Sequence, residues 1–166
     1  MVMISKYRLE YNRDEDVYYV LSDEKINCPI CSCKHMRGKG RRKRGVIKTS
    51  GDKILLIIRR LLCGNCLKIH HELPSIIVPY KRHNTETIEN ILNNEYINVS
   101  CEESTISRIK SWWAVMQKYI SAIVMSLNEK YQVEITAVQK LPQIVRALAN
   151  THLWPGTRSA LTPGGV

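Results

Sequence analysis

The chain has 166 residues, 44% of them apolar, and a formal net charge of +10, which fits one ordinary domain or two small ones and excludes wholesale disorder. The charge is unevenly held: residues 28–82 carry fourteen Lys/Arg against Asp52 and Glu72, while residues 1–27 are net acidic and 83–166 neutral. A patch so concentrated predicts an anionic partner captured by the middle of the chain.

Met1 to Glu15 is polar and lacks the apolar segment of a signal peptide. The longest apolar run, Ile54–Ile58, stops at Arg59 and is too short to span a membrane. A cytoplasmic protein with no membrane partner is therefore expected, where reduced thiols favour metal ligation over disulfides.

In chain order, Tyr7–Tyr11 and Val17–Leu21 read as short strands around a polar turn. They predict a hairpin, or an edge addition to the next module, in an N-terminal extension over 1–25. Cys28-Pro-Ile-Cys31 and Cys63-Gly-Asn-Cys66 then frame residues 26–74. Two C-x-x-C units supply four thiolates able to close tetrahedrally on one zinc ion, a structural site with no open position. Cys33 is a competing thiol, and His70 and His71 are alternative ligands; a strand histidine near a metal more often supports a ligand than replaces one.

Between the knuckles, Val46–Thr49 and Ile54–Leu62 are β-rich, and Ser50-Gly51-Asp52 is turn chemistry. The hairpin brings both knuckles to one end, and His70–Leu73 adds a third strand, as in a zinc ribbon. Lys34 to Lys48 holds eight Lys/Arg and no acid, on one arm of that hairpin or its loop. Arg41, Arg42, Lys43, Arg44 and Lys48 are the candidate phosphate contacts, which position a nucleic acid without reading its sequence.

Pro74 to Arg82 is bracketed by prolines and predicts an extended linker, residues 75–84. Helices are expected from residue 85 to 150. Thr85–Asn93 is the first, and Ser100-x-x-Glu103 is a capping-box start for the second. In that second helix Ile106, Ile109 and Trp113 face inward while Ser104, Thr105, Arg108 and Ser111 face outward. An amphipathic stretch continues to about Glu129, Pro142 opens a further helix to about Asn150, and residues 151–166 form an irregular tail. The fold class is thus α+β, a small β zinc ribbon followed by a helical domain. Val99-Ser100 followed by Thr105 to Lys110 resembles the recognition helix of bacterial helix-turn-helix proteins, which makes that domain a helix-turn-helix.

The order knuckle, basic hairpin, knuckle, His70-His-Glu-Leu-Pro74, Val78-Pro-Tyr-Lys-Arg82 and a Thr105-Ile-Ser-Arg-Ile helix ending Trp112-Trp113 resembles the N-terminal heads of insertion-sequence transposases. It is more similar still to a family of short stand-alone bacterial proteins associated with transposons, whose C-terminal ending Thr157-Arg-Ser-Ala160 resembles. The resemblance implies DNA binding through a zinc ribbon plus helix-turn-helix. In that frame Ser104, Thr105, Arg108 and Ser111 meet the major groove, with Arg108 on guanine.

Transposase catalysis of the two-metal kind needs carboxylates on a separate nuclease fold. Every aspartate (Asp14, Asp16, Asp23, Asp52) precedes residue 53, so the expectation is a non-enzymatic regulator or accessory factor of a mobile element. Its partner is double-stranded DNA; RNA offers the same phosphates, and a homodimer through the long helix fits the apolar stripe equally. The rival readings are a protein-interaction adaptor or inhibitor using residues 112–129, and a nuclease dependent on His70, His71 or His83.

Overall fold

The computed structural model describes residues 1–131 and 140–155. Among the described residues six strands and three α-helices make a mixed α+β fold: β1 (Val2–Ile4), β2 (Arg8–Asn12), β3 (Val17–Leu21), β4 (Met36–Ile47), β5 (Lys53–Cys63), β6 (Ile69–Pro74), α1 (Thr85–Leu92), α2 (Glu103–Tyr131) and α3 (Leu141–Asn150). A short 3-10 turn, Tyr96–Asn98, lies between α1 and α2.

β5 is the spine. β4 pairs with it antiparallel from Met36↔Cys63 to Ile47↔Lys53, occupying one edge along its length. The other edge is shared: β3 takes Leu56 and Ile57 in parallel, and β6 takes Arg60 to Leu62 antiparallel. β2 extends the β3 side, and β1 the β6 side. The hairpin turn falls at Ser50-Gly51-Asp52, where Gly51 has φ +91°, a conformation that favours glycine. Lys48 N–H donates to the Asp52 carbonyl across it at 2.9 Å.

The N-terminal runs meet both sequence expectations, since β2 and β3 form a hairpin and β3 adds to β5. β1 was not foreseen. Val2, Met3 and Ile4 are each fully buried, and their partners Glu72 to Pro74 lie far along the chain. α3 covers this strand: Asn150 accepts from Met3 N–H at 2.7 Å and donates to its carbonyl at 3.0 Å, imitating a neighbouring strand. Arg146 of α3 pairs with Glu24.

Residues 75–84 are bound into the body of the molecule. Ile77 and Val78 belong to the core, and the chain is tied to the end of β4 by Ile47 N–H to the Arg82 carbonyl (2.8 Å) and Asn84 N–H to the Ile47 carbonyl (2.9 Å). Asn84 caps α1, accepting from Thr87 N–H at 3.0 Å. Ile88 and Ile91 of α1 and Ile109 of α2 close over Leu56 and Ile58.

α2 begins at Glu103, two residues later than the capping-box pattern predicts. The reason is tertiary: Ser100 N–H is taken by the Thr49 carbonyl of the hairpin turn at 3.1 Å, and the first intrahelical bonds run to Glu102 instead. α2 then continues without a break through the predicted amphipathic stretch. α3 matches the expectation from Pro142, with proline in its first turn. The tail beyond Pro155 lies outside the described residues.

Candidate metal centre and basic face

The two knuckles adopt the same local structure. In each, the first cysteine donates its N–H five residues on: Cys28 to the Cys33 carbonyl (2.9 Å), Cys63 to the Lys68 carbonyl (3.0 Å). In each, the residue after the second cysteine is left-handed, Ser32 at φ 57° and Leu67 at φ 56°. These tight turns aim both sulfurs of a knuckle inward. The β4–β5 hairpin brings the knuckles together, with Met36 opposite Cys63 and Gly64 N–H donating to the His35 carbonyl at 2.9 Å.

The sulfurs of Cys28, Cys31, Cys63 and Cys66 consequently all lie within 4.8 Å of one another. Cys28 is 3.6 Å from Cys66, and Cys31 is 3.5 Å from Cys63. A tetrahedral ion with metal–sulfur bonds of about 2.3 Å sets sulfurs about 3.8 Å apart, so the cluster fits a metal ion. Its protonation chemistry points the same way. The Cys66 backbone N–H and then its Asn65 and thiol neighbours draw Cys63 down to about 6. For Cys66 the Lys68 N–H pulls down, but burial and the thiols of Cys28, Cys63 and Cys31 push it up to about 12. Four thiols this close cannot all ionise without a cation among them.

Cys33 stands outside the four, its sulfur accepting from His35 N–H at 3.4 Å. His70 is buried in β6 behind Cys28, with Nε2 at 3.4 Å from that sulfur and Nδ1 at 3.4 Å from the N-terminal amine. Burial, then the N-terminal charge, hold its pKa down to about 4. A neutral ring donating Nε2–H to the Cys28 sulfur would leave Nδ1 to accept from the amine, the arrangement by which an outer histidine orients a metal ligand. His71 lies outside the cluster; burial, then Arg42 and Arg60, lower its pKa.

The basic run is strand β4 itself. Strand alternation divides it between two faces. Arg42 and Arg44 sit opposite the buried Ile58 and Leu56, on the side covered by the helices; Arg41 and Lys43 sit on the other. Arg41, Arg42 and Lys43 are exposed, and the Arg41 guanidinium lies 4.9 Å above the Tyr19 ring. Arg44 is half-buried and donates from Nη2 to the Lys81 carbonyl at 2.8 Å. Lys48 is half-buried beside the hairpin turn.

Ser104, Arg108 and Ser111 are exposed on α2, and Thr105 is half-buried. Arg108 folds back on its own helix, Nε donating to the Ser104 carbonyl and Nη2 to Thr105 Oγ1, each at 3.1 Å. Thr105 and Arg108 border a cleft with no counterpart in the sequence pattern, walled by residues 80–83 and the end of the hairpin. Trp112 and Trp113 are half-buried with rings 5.7 Å apart, and Lys81 lies 4.0 Å over Trp112.

Fold and site together define an α+β protein with a four-cysteine, metal-compatible centre at one end of a basic hairpin. A family model described as "Domain of unknown function (DUF6431)" matches residues 28–109. That span opens on the first cysteine of the cluster and closes in the second turn of α2, so it takes in β4 to β6 and α1 but neither β1 to β3 nor α3. No curated protein and no solved structure matches the chain. Among the described residues no helix is long and apolar enough to cross a membrane.

Proposed function

We propose that this is a non-enzymatic, zinc-stapled protein that binds double-stranded DNA, a regulator or accessory factor of a mobile element. The supporting observation is the placement of β4. Among the described residues its outer edge is free of strand partners from Arg41 to Arg44. The strand is paired to β5 residue by residue past a register shift between Gly38 and Arg41, and it starts at Met36 beside the cysteine cluster. Arg41 and Lys43 fan to one side of that edge and Arg42 to the other, a charged ridge that keeps its shape without its partner. Cations on an edge also discourage strand addition, but edge protection alone does not call for so long an acid-free run. The zinc ribbon is β4, β5 and β6 closed by Cys28, Cys31, Cys63 and Cys66, the metal serving structure rather than chemistry. α1 and the first turns of α2 form the helix-turn-helix, its connection lengthened by the 3-10 turn at Tyr96–Asn98.

A second reading, a protein-interaction adaptor, draws on the far half of α2, where Met125 is 71% exposed. The two separate by salt. In the DNA reading, replacing Arg41, Arg42 and Lys43 together with Gln weakens binding to every duplex alike. It also flattens the slope of log K against log salt by about 0.9 per lost phosphate contact, measured by fluorescence anisotropy. An unchanged slope in that variant would remove β4 from the interface.

A further inference from the structure

The cleft beside α2 has a volume of about 620 Å³ and joins the predicted Thr105 and Arg108 to residues outside the predicted interface. Its walls are the end of the hairpin (Ile47, Lys53), residues 80–83 and Ser100 to Ile109, with Ile88 of α1 also lining it. Lys53, Lys81, Arg82 and Arg108 bring cations to it, and Glu102 is the one carboxylate among the described lining residues. The walls are fixed by backbone bonds rather than by the cations, through Ile47 to Arg82 and Asn84 and through Ser100 to Thr49. The charges are therefore held together before any ligand arrives, which lowers the cost of binding one.

Lys81 is the least exposed of these four cations. It is half-buried, its ammonium rests on the Trp112 ring, and burial drives its pKa down to about 8. An anion in the cleft would restore the favourable surroundings that burial removed. Ser100 and Thr105 add hydroxyls to the same walls. The Cys101 sulfur lies 3.4 Å from His83 Nδ1 on the cleft wall, but burial raises the thiol and lowers the imidazole, so both rest neutral and the pair is not a nucleophile.

Tyr80 links the cleft to β4. It lines both the cleft and a neighbouring hollow of about 320 Å³ that holds Arg42, Arg44 and His71. A basic track thus runs from the arginines of β4 past Tyr80 to Lys81, Arg82 and Lys53. We propose that the cleft is a second phosphate site, seating a backbone phosphate of the same nucleic acid whose neighbouring phosphates lie along β4. This rests on the DNA-binding reading and extends it to residues outside the basic run. It places Lys53, Lys81 and Arg82 in the interface, with Arg108 at the border between phosphate and base.

The test uses the full chain and a Lys53→Gln/Arg82→Gln variant, both changes being at exposed side chains. Inorganic phosphate is titrated while backbone amides are followed by NMR, and duplex affinity is measured across a salt series. The expected result is amide shifts at residues 81–83 and 100–105 in the wild type that fade in the variant, with the duplex salt slope reduced by about 0.9–1.8. Duplex binding with an unchanged slope in the variant overturns the cleft and leaves the DNA reading intact. Phosphate shifts at the cleft with no duplex binding by the wild type overturn the nucleic-acid source together with the proposed function, and leave a site for a free phosphate.

Discussion

Cys28 gives the sharpest test of the proposed metal centre, because it is 1% exposed and contacts both Cys66 and His70. Cys28→Ser removes one of four thiolates and leaves His70, equally buried, facing a hydroxyl. Structural zinc contributes apparent binding energies of about 10–16 kcal/mol, so an even share among four ligands is about 3 kcal/mol. Net stability of a domain is about 5–15 kcal/mol, which makes that loss a large fraction of the whole. For a chain of this length each kcal/mol moves the melting temperature by about 2–4 °C, and the expected fall is about 6–12 °C. Calorimetry with zinc content by atomic absorption reads both effects. Cys33→Ser, outside the cluster, is the control and should change neither. A Cys28→Ser protein that keeps a full equivalent of metal and melts within about 1 °C of wild type would refute the ligand set.

Two further outcomes are expected. Arg108→Ala should erode preference among duplex sequences by about 1–3 kcal/mol at one base pair in a competition assay; uniform weakening across all sequences would make Arg108 a phosphate contact only. Arg59→Ala should destabilise the sheet by about 2–3 kcal/mol in urea unfolding, less than a fully buried pair would lose because Arg59 is partly exposed. The cause is Glu72, 1% exposed and held by Arg59 Nε at 2.6 Å and Nη2 at 2.8 Å. An unchanged urea midpoint would show that Glu72 finds another partner.

Where local chemistry decides the structure, the sequence was legible. The doublet spacing of the cysteines, the Ser50-Gly51-Asp52 turn and Pro142 at the start of α3 each report a conformation that a few neighbouring residues impose. What stayed hidden depends on distant partners. Three apolar residues at 2–4 carry too short a pattern to announce a strand, and β1 exists because β6 and α3 enclose it. The prolines at 74 and 79 predicted extended chain, but the segment turns at both, Ile77 N–H donating to the Pro74 carbonyl at 2.9 Å and Lys81 N–H to the Val78 carbonyl at 3.1 Å, and nothing in them says that Ile77 and Val78 are buried in the core. Ser100 carries the right capping pattern and loses its place because the hairpin turn competes for its N–H. The site divides similarly. The four-cysteine cluster follows from spacing, whereas the His70 contact with Cys28, the Tyr19 ring under Arg41 and the cleft around Lys81 arise only when separate segments meet. The basic run also read as one patch, and strand alternation turned it into two faces.

The central claim is tested most directly by wild-type affinity for duplex DNA across a salt series, with random sequence and with DNA taken from beside the gene. The account predicts log K falling linearly with log salt at about 0.9 per phosphate neutralised, and tighter binding to the neighbouring DNA. Absence of duplex binding at low salt would contradict it.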